Sequence, residues 1–242
     1  MKINQEQVYF LKNKTFFEDI LYKKDFLNSR QIKVILNFDV ILKVKMISIL
    51  SSLAKTVISG FILLILIVLF LSSFSELSFD YSYCAFFFRW LHVLSGVMWI
   101  GLLWYFNFVQ IPGMPMIPDD QKPAISKVIA PKALFWFRWA ALATLLTGLS
   151  LAHINGYLND ALTLNIENSQ SLMIGIGMWL GIIMAFNVWG IIWPNQKKAL
   201  GIIKVTAEEK AKSAKTAMCF SRINTLLSIP MLYCMVGAQN LY

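Results

Sequence analysis

The sequence predicts an all-α integral membrane protein: a bundle of about five transmembrane helices, N-terminus inside and C-terminus outside. Three observations carry this. The chain is 57% hydrophobic and only 14% charged, outside the range of soluble domains. Five apolar segments are long enough to cross a bilayer, where about 20 residues at about 1.5 Å each span a core of about 30 Å. Basic residues occupy alternate connections: ten Lys or Arg lie in residues 1 to 55, none in 72 to 88 and none in 154 to 170. Lys122, Lys127 and Lys132 lie between the second and third segments, and Lys197 to Arg222 supply the basic residues before the fifth. The positive-inside rule then fixes the orientation. The net charge of +9 follows this distribution and reads as topology and contact with anionic lipid. Nucleic acid is excluded as a partner, because the basic residues are not interleaved with stacking aromatics.

Residues 1 to 45 are polar, Lys- and Asn-rich, and form a cytoplasmic extension; Met46 opens MISILSSLAKTVISGF like a natural chain start, so the extension could be a start-site artefact. Residues 46 to 242 form the membrane domain, with spans at about 56–74, 86–110, 133–153, 172–193 and 225–239. Cys84, Cys219 and Cys234 make no CxxC or CxxCH pattern, which excludes c-type haem attachment.

The second segment carries the chemistry. Within it Arg89, His92, Gly96, Trp99, Leu103, Asn107 and Gln110 share one narrow helical sector. A polar stripe on a spanning helix has to face a bundle interior, since lipid offers it no partner. The third segment begins after Pro131, which suits a first helical turn. It carries Arg138 about one and a half turns in, and His153 at its outer end. In the fourth, Gly177, Gly181 and Ala185 at four-residue spacing allow close helix approach. The fifth contains Pro230, which is expected to bend it. The charged stretch 201–215 before it is expected to be a short helix.

The polar residues fall into two layers. Toward the outside lie Arg89, His92 and His153. Two imidazoles from neighbouring helices can hold a haem b iron axially, with Trp99 and Gly96 beside the ring and Arg89 on a propionate. The alternative is a histidine bonded to a serine or carbonyl of a neighbouring helix, with His153 at the interface. Toward the cytoplasm lie Gln110, Arg138, Asn187, Asn195, Gln196, Lys197, Arg222 and Asn224. Among these, Arg138, Arg222 and the four amides of Asn187, Asn195, Gln196 and Asn224 could line a site for a planar, oxygen-rich anion. Alternatively Arg222 snorkels to headgroups and Asn195 and Gln196 cap a helix end. The tryptophans Trp104, Trp136, Trp139, Trp179, Trp189 and Trp193 read as packing and belt residues.

The blocks RWLHVLSGVMWIGLLWYFNFVQIP, PKALFWFRWAALATLLTG, NVWGIIWPNQKKALG and SRINTLLSIPMLYCMV resemble the bacterial membrane-bound urate hydroxylases, the urate oxidase N-terminal domain family. The resemblance covers roughly residues 86 to 236, and IWPNQKK and RINTLLSIPM are its most specific parts. It implies a bacterial inner-membrane oxidoreductase of purine catabolism. Such an enzyme oxidises urate to 5-hydroxyisourate with water as oxygen source, passing electrons to a fused C-terminal cytochrome c. This chain ends at Tyr242 without CxxCH, so a separate cytochrome c or a quinone is the expected acceptor. Two other readings stay open: a small b-type haem electron carrier that does not act on urate, and an anion transporter or structural membrane subunit without haem.

Overall fold

The computed structural model describes residues 45–74, 78 and 80–242. The chain divides into two compact units, Met1–Leu77 and Ser78–Tyr242. The N-terminal extension, apart from Lys45, lies outside the described residues.

In the first unit, helix α1 (Leu53–Ser72) buries none of its residues within the protein. Its Leu, Ile and Phe side chains are exposed all round, as suits a helix whose solvent is hydrocarbon. The second unit holds the other four long helices: α2 (Tyr81–Met116), α3 (Lys122–Ile154), α4 (Ser169–Ala199) and α5 (Ala207–Asn240). All five are long and apolar enough to span a membrane, and among the described residues there is no strand.

The sequence marks the starts of three of these helices. Asp80 accepts from the Tyr83 amide at α2, Asn168 from Ser171 at α4, and Thr206 from Glu209 at α5. Each satisfies an amide that has no partner inside its own helix. Two helices begin well before the apolar spans expected within them. The span expected from 133 begins at Lys122, and Pro131 lies inside it, just after a wide π-turn at Ile125–Ile129. The span expected from 225 begins at Ala207 and absorbs most of the short helix expected over 201–215. Its Thr206 cap and the acidic pair Glu208 and Glu209 favour a start there, and the helix continues through Pro230.

Packing is pairwise. α2 lies antiparallel against α3, and α4 against α5, while contacts between the two pairs are sparse. Where the pairs do meet, a core forms from Trp99, Leu103 and Phe106 of α2, Phe137 of α3, Met184 and Val188 of α4, and Met231 of α5. The loop after α3 folds into a short helix, Leu158–Leu162, which packs on α4 at Gly175. A Cβ at Gly175 would sit 2.2 Å from the Ala161 carbonyl oxygen, so only glycine admits this approach.

Two further π-turns interrupt the bundle, at Tyr105–Gln110 in α2 and Asn187–Ile192 in α4. A wide turn inserts a residue and rotates everything after it, a feature concentrated at functional sites. The first contains Asn107 and Gln110 and the second Asn187; of these the sequence assigns Gln110 and Asn187 to the inner layer.

Candidate functional site

Two sites lie within the second unit, one toward the end where α2 and α4 begin, the other at the π-turns. At the first, a cavity of about 580 Å³ opens between the two helix pairs. That is within the roughly 300–1,000 Å³ typical of cofactor and ligand sites. Arg89, His92 and Trp99 all line it, together with Gly96, Thr144 and Gly148. His153 does not line it: it is exposed, one residue from the end of α3.

The His92 ring is fixed from α3. Its Nδ1 lies 2.9 Å from the Thr144 carbonyl oxygen. A carbonyl only accepts, so Nδ1 carries the proton, and in the neutral ring Nε2 keeps a free lone pair. Nε2 makes no hydrogen bond to any described residue. The ring also packs directly on Gly148, where a Cβ would come within 2.7 Å of Cε1. The bond to a carbonyl of a neighbouring helix is the one foreseen for a structural histidine. It is also the support that metal-ligating histidines use to set their tautomer. The cavity and this free nitrogen have the size and the donor a haem would need, and His92 is the residue that would hold it.

Arg89 lies where this cavity meets a second pocket of about 250 Å³, lined by Asn155, Tyr157, Gln170 and Gln239 among others. Burial pushes the Tyr157 phenol up from its ordinary value, against the opposing pull of Arg89 and a bond to Asn155. Tyr157 therefore stays a neutral donor beside the guanidinium, so the pair presents cationic and hydroxyl donors to an anionic group.

At the π-turns the defining residue is Arg138. It is only 9% exposed, and its guanidinium carbon lies 3.4 Å above the centre of the Trp193 ring. It makes no hydrogen bond or ion pair with any described residue, and Nη1 is fully buried without a partner. Stacking on tryptophan offsets part of the cost of burying this charge, but an unpaired buried charge is expensive and calls for an anion. Gln110 Oε1, Gln196 Oε1 and Asn107 Oδ1 are buried acceptors without partners, and Trp189 Nε1 is a donor in the same state.

Asn187 and Asn224 are brought together, but mainly for each other. Asn187 Nδ2 donates to Asn224 Oδ1 at 2.9 Å, and Asn224 Nδ2 donates to the Met184 carbonyl at 2.9 Å. They brace α4 against α5 within the apolar interior. Asn195 donates back to the Ile191 carbonyl of its own helix, and Arg222 is exposed. Replacing Asn224 with leucine strands the Asn187 amide, and is expected to cost roughly 1–2 kcal/mol of bundle stability. A fall in the denaturant midpoint of the detergent-solubilised protein would show it.

Sequence reasoning underrated three groups. Trp193, read as packing, is the platform for Arg138. Asn107 was visible on the α2 stripe but not assigned to the inner layer, and Gln110 was assigned to that layer without a role in it. Ser221 and Ser228 cross-link α5 to α2 by accepting from Asn107 Nδ2 at 2.8 Å and Trp104 Nε1 at 3.0 Å. Serines on a mostly apolar helix carry little signal of that kind.

The comparison with known families bears on this second site. Residues 163–240 match the urate oxidase N-terminal family. The match supports the resemblance carried by the NVWGIIWPNQKKALG and SRINTLLSIPMLYCMV blocks, both of which it contains. It takes in Asn187, Asn195, Gln196, Arg222 and Asn224, so the α4–α5 side of the Arg138 layer belongs to the urate oxidase N-terminal match. Arg89, His92, Arg138 and His153 precede it. No curated protein and no solved structure matches the chain.

Proposed function

We propose that this chain is a membrane-bound redox protein that oxidises urate to 5-hydroxyisourate, with Arg138 as the anion-binding group. The observation that carries this reading is the buried, counterion-free Arg138 guanidinium on Trp193, set against a matched urate oxidase N-terminal segment. Urate is a planar monoanion with alternating N–H and C=O groups. Arg138 would neutralise its charge, while the unpartnered oxygens of Gln110 and Gln196 would accept from its N–H groups and Trp189 would donate to a carbonyl. Asn187 and Asn224 would hold α4 and α5 at the spacing the site needs. Arg222, exposed, would attract the anion or anchor α5 at headgroups.

The reaction adds the oxygen of one water to urate and releases two electrons and two protons. Apart from Glu208 and Glu209 at the start of α5, helices α2 to α5 contain no carboxylate. The protons would therefore leave through water, and the protein's contribution is binding and charge stabilisation. A haem b on His92, with Arg89 and Tyr157 at its acidic edge, would supply one-electron transfer toward a cytochrome c or quinone. The Arg138 end would face the cytoplasm of a bacterial inner membrane, as the basic connections require.

The cavity of about 580 Å³ lies at His92 and is not lined by Arg138, and this favours a second reading: a b-type haem carrier that does not act on urate. A reduced-minus-oxidised spectrum of the purified protein separates the two. Reduction of a b-type haem by urate is the expected result. Reduction by dithionite alone would favour the carrier, and the absence of haem in protein expressed with ample haem supply would overturn both.

A further inference from the structure

The pairwise packing leaves one question about the His92 cavity: what stands opposite the imidazole. The pair His92 and His153 does not converge, because His153 is exposed and outside the cavity lining. Axial position explains why. The OH of Tyr81, the first residue of α2, donates to the carbonyl of Ile154, the last of α3, so these two helix ends lie side by side. His92 is eleven residues into α2, whereas His153 is one residue from the end of α3. At about 1.5 Å per residue the two histidines are offset along the bundle by about 15 Å.

The opposite pair of helices offers thioethers instead. Met178 of α4 and Met231 and Met235 of α5 all line the cavity. Met178 is nine residues from the start of α4, which lies at the same end of the bundle: Asn155 and Gln170 line one pocket with Arg89 there. His92 and Met178 are therefore at about the same depth, roughly 14 to 17 Å from that end. α2 packs against α3 and α4 against α5, so the two residues reach the cavity from different helix pairs. Methionine sulfur is an established axial haem ligand beside histidine and raises the potential relative to two imidazoles.

We infer that a haem in this cavity is held by His92 and Met178, with His153 taking no part. The inference rests on the haem reading proposed above, but not on urate as substrate. It gives the bundle a device the pairwise packing needs: a ligand from each helix pair, so that cofactor binding ties the two pairs together. Met231 and Met235 would then pack on the haem face.

The test is the spectrum and potential of the full-length protein in detergent, compared for wild type, Met178→Leu, Met178→His, Met231→Leu and His153→Ala. Wild type and His153→Ala should share a low-spin spectrum with the weak sulfur-to-iron charge-transfer band of histidine–methionine haem. Met178→Leu should lose that band, turn high-spin and gain carbon monoxide binding. Met178→His should restore a low-spin haem at a lower potential, which separates ligation from misfolding, and Met231→Leu should keep the band. A His153→Ala variant that turns high-spin, or a Met178→Leu variant with an unchanged low-spin spectrum, would overturn the assignment. So would band loss in Met231→Leu rather than in Met178→Leu. Wild-type protein without haem would overturn it together with the haem reading, whereas a histidine–methionine haem that urate does not reduce would leave it standing and remove the substrate.

Discussion

Replacing Arg138 with alanine is expected to lower urate turnover by about 100-fold or more, the scale of losing a preorganised charge from a water-poor site. The argument comes from what Arg138 lacks. A guanidinium that is 9% exposed, stacked on Trp193 and without a carboxylate partner among the described residues is tolerable only if something negative arrives. Alanine removes the charge and both forks of donors at once. Lysine at this position keeps a charge but cannot stack as a plane or donate bidentately, so Arg138→Lys should recover only a small part of the activity. The haem spectrum after dithionite should be unchanged in both variants, because Arg138 does not line the His92 cavity. Stability should rise or hold in Arg138→Ala, since an unpaired buried charge is being removed. Unchanged urate turnover in Arg138→Ala would sink the assignment of this layer as the substrate site.

How much of this was legible beforehand differs by level. The five helices were, because spanning length and apolarity are properties of local sequence alone. Their ends were less so. α5 begins eighteen residues before the apolar run, at a Thr-Ala-Glu-Glu cap that a hydropathy reading passes over. Arg89, His92 and Trp99, which share the α2 stripe, line one cavity, since 100° per residue holds over that stretch. It loses its meaning at Tyr105, where the π-turn shifts the phase for Asn107 and Gln110. Partnerships were least legible. The two histidines were paired by scarcity, and separation along the bundle keeps them apart. Asn187 and Asn224 were read as donors and acceptors for a ligand, and instead Asn187 donates to Asn224 and Asn224 to the Met184 carbonyl. Which polar side chains stay unpartnered depends on the register between helices, and a single sequence carries little of that.

Gly148 is the position where one methyl group should undo the proposed haem site, and Gly148→Ala is expected to lower haem affinity about 10- to 100-fold. Its Cβ would sit 2.7 Å from His92 Cε1 and 2.9 Å from Nδ1, closer than real carbon contacts allow. A flexible side chain could swing away at little cost. The imidazole cannot, because its Nδ1 is tied to the Thr144 carbonyl, one turn earlier on the same helix that carries Gly148. Relief requires either breaking that bond, which frees the tautomer and orientation of the ring, or pushing α2 from α3. The first outcome is the cheaper, since α2 and α3 pack along much of their length. Helical content and monodispersity should therefore persist while haem per protein falls. Residual haem should show the altered potential of a ligand whose Nδ1–H no longer donates. A control at Gly101, which also lines the cavity but has no atom within 4 Å of a built Cβ, should accept alanine with haem content intact. If Gly148→Ala binds haem as tightly as wild type, His92 is not the ligand that the Thr144 bond and the glycine contact together position.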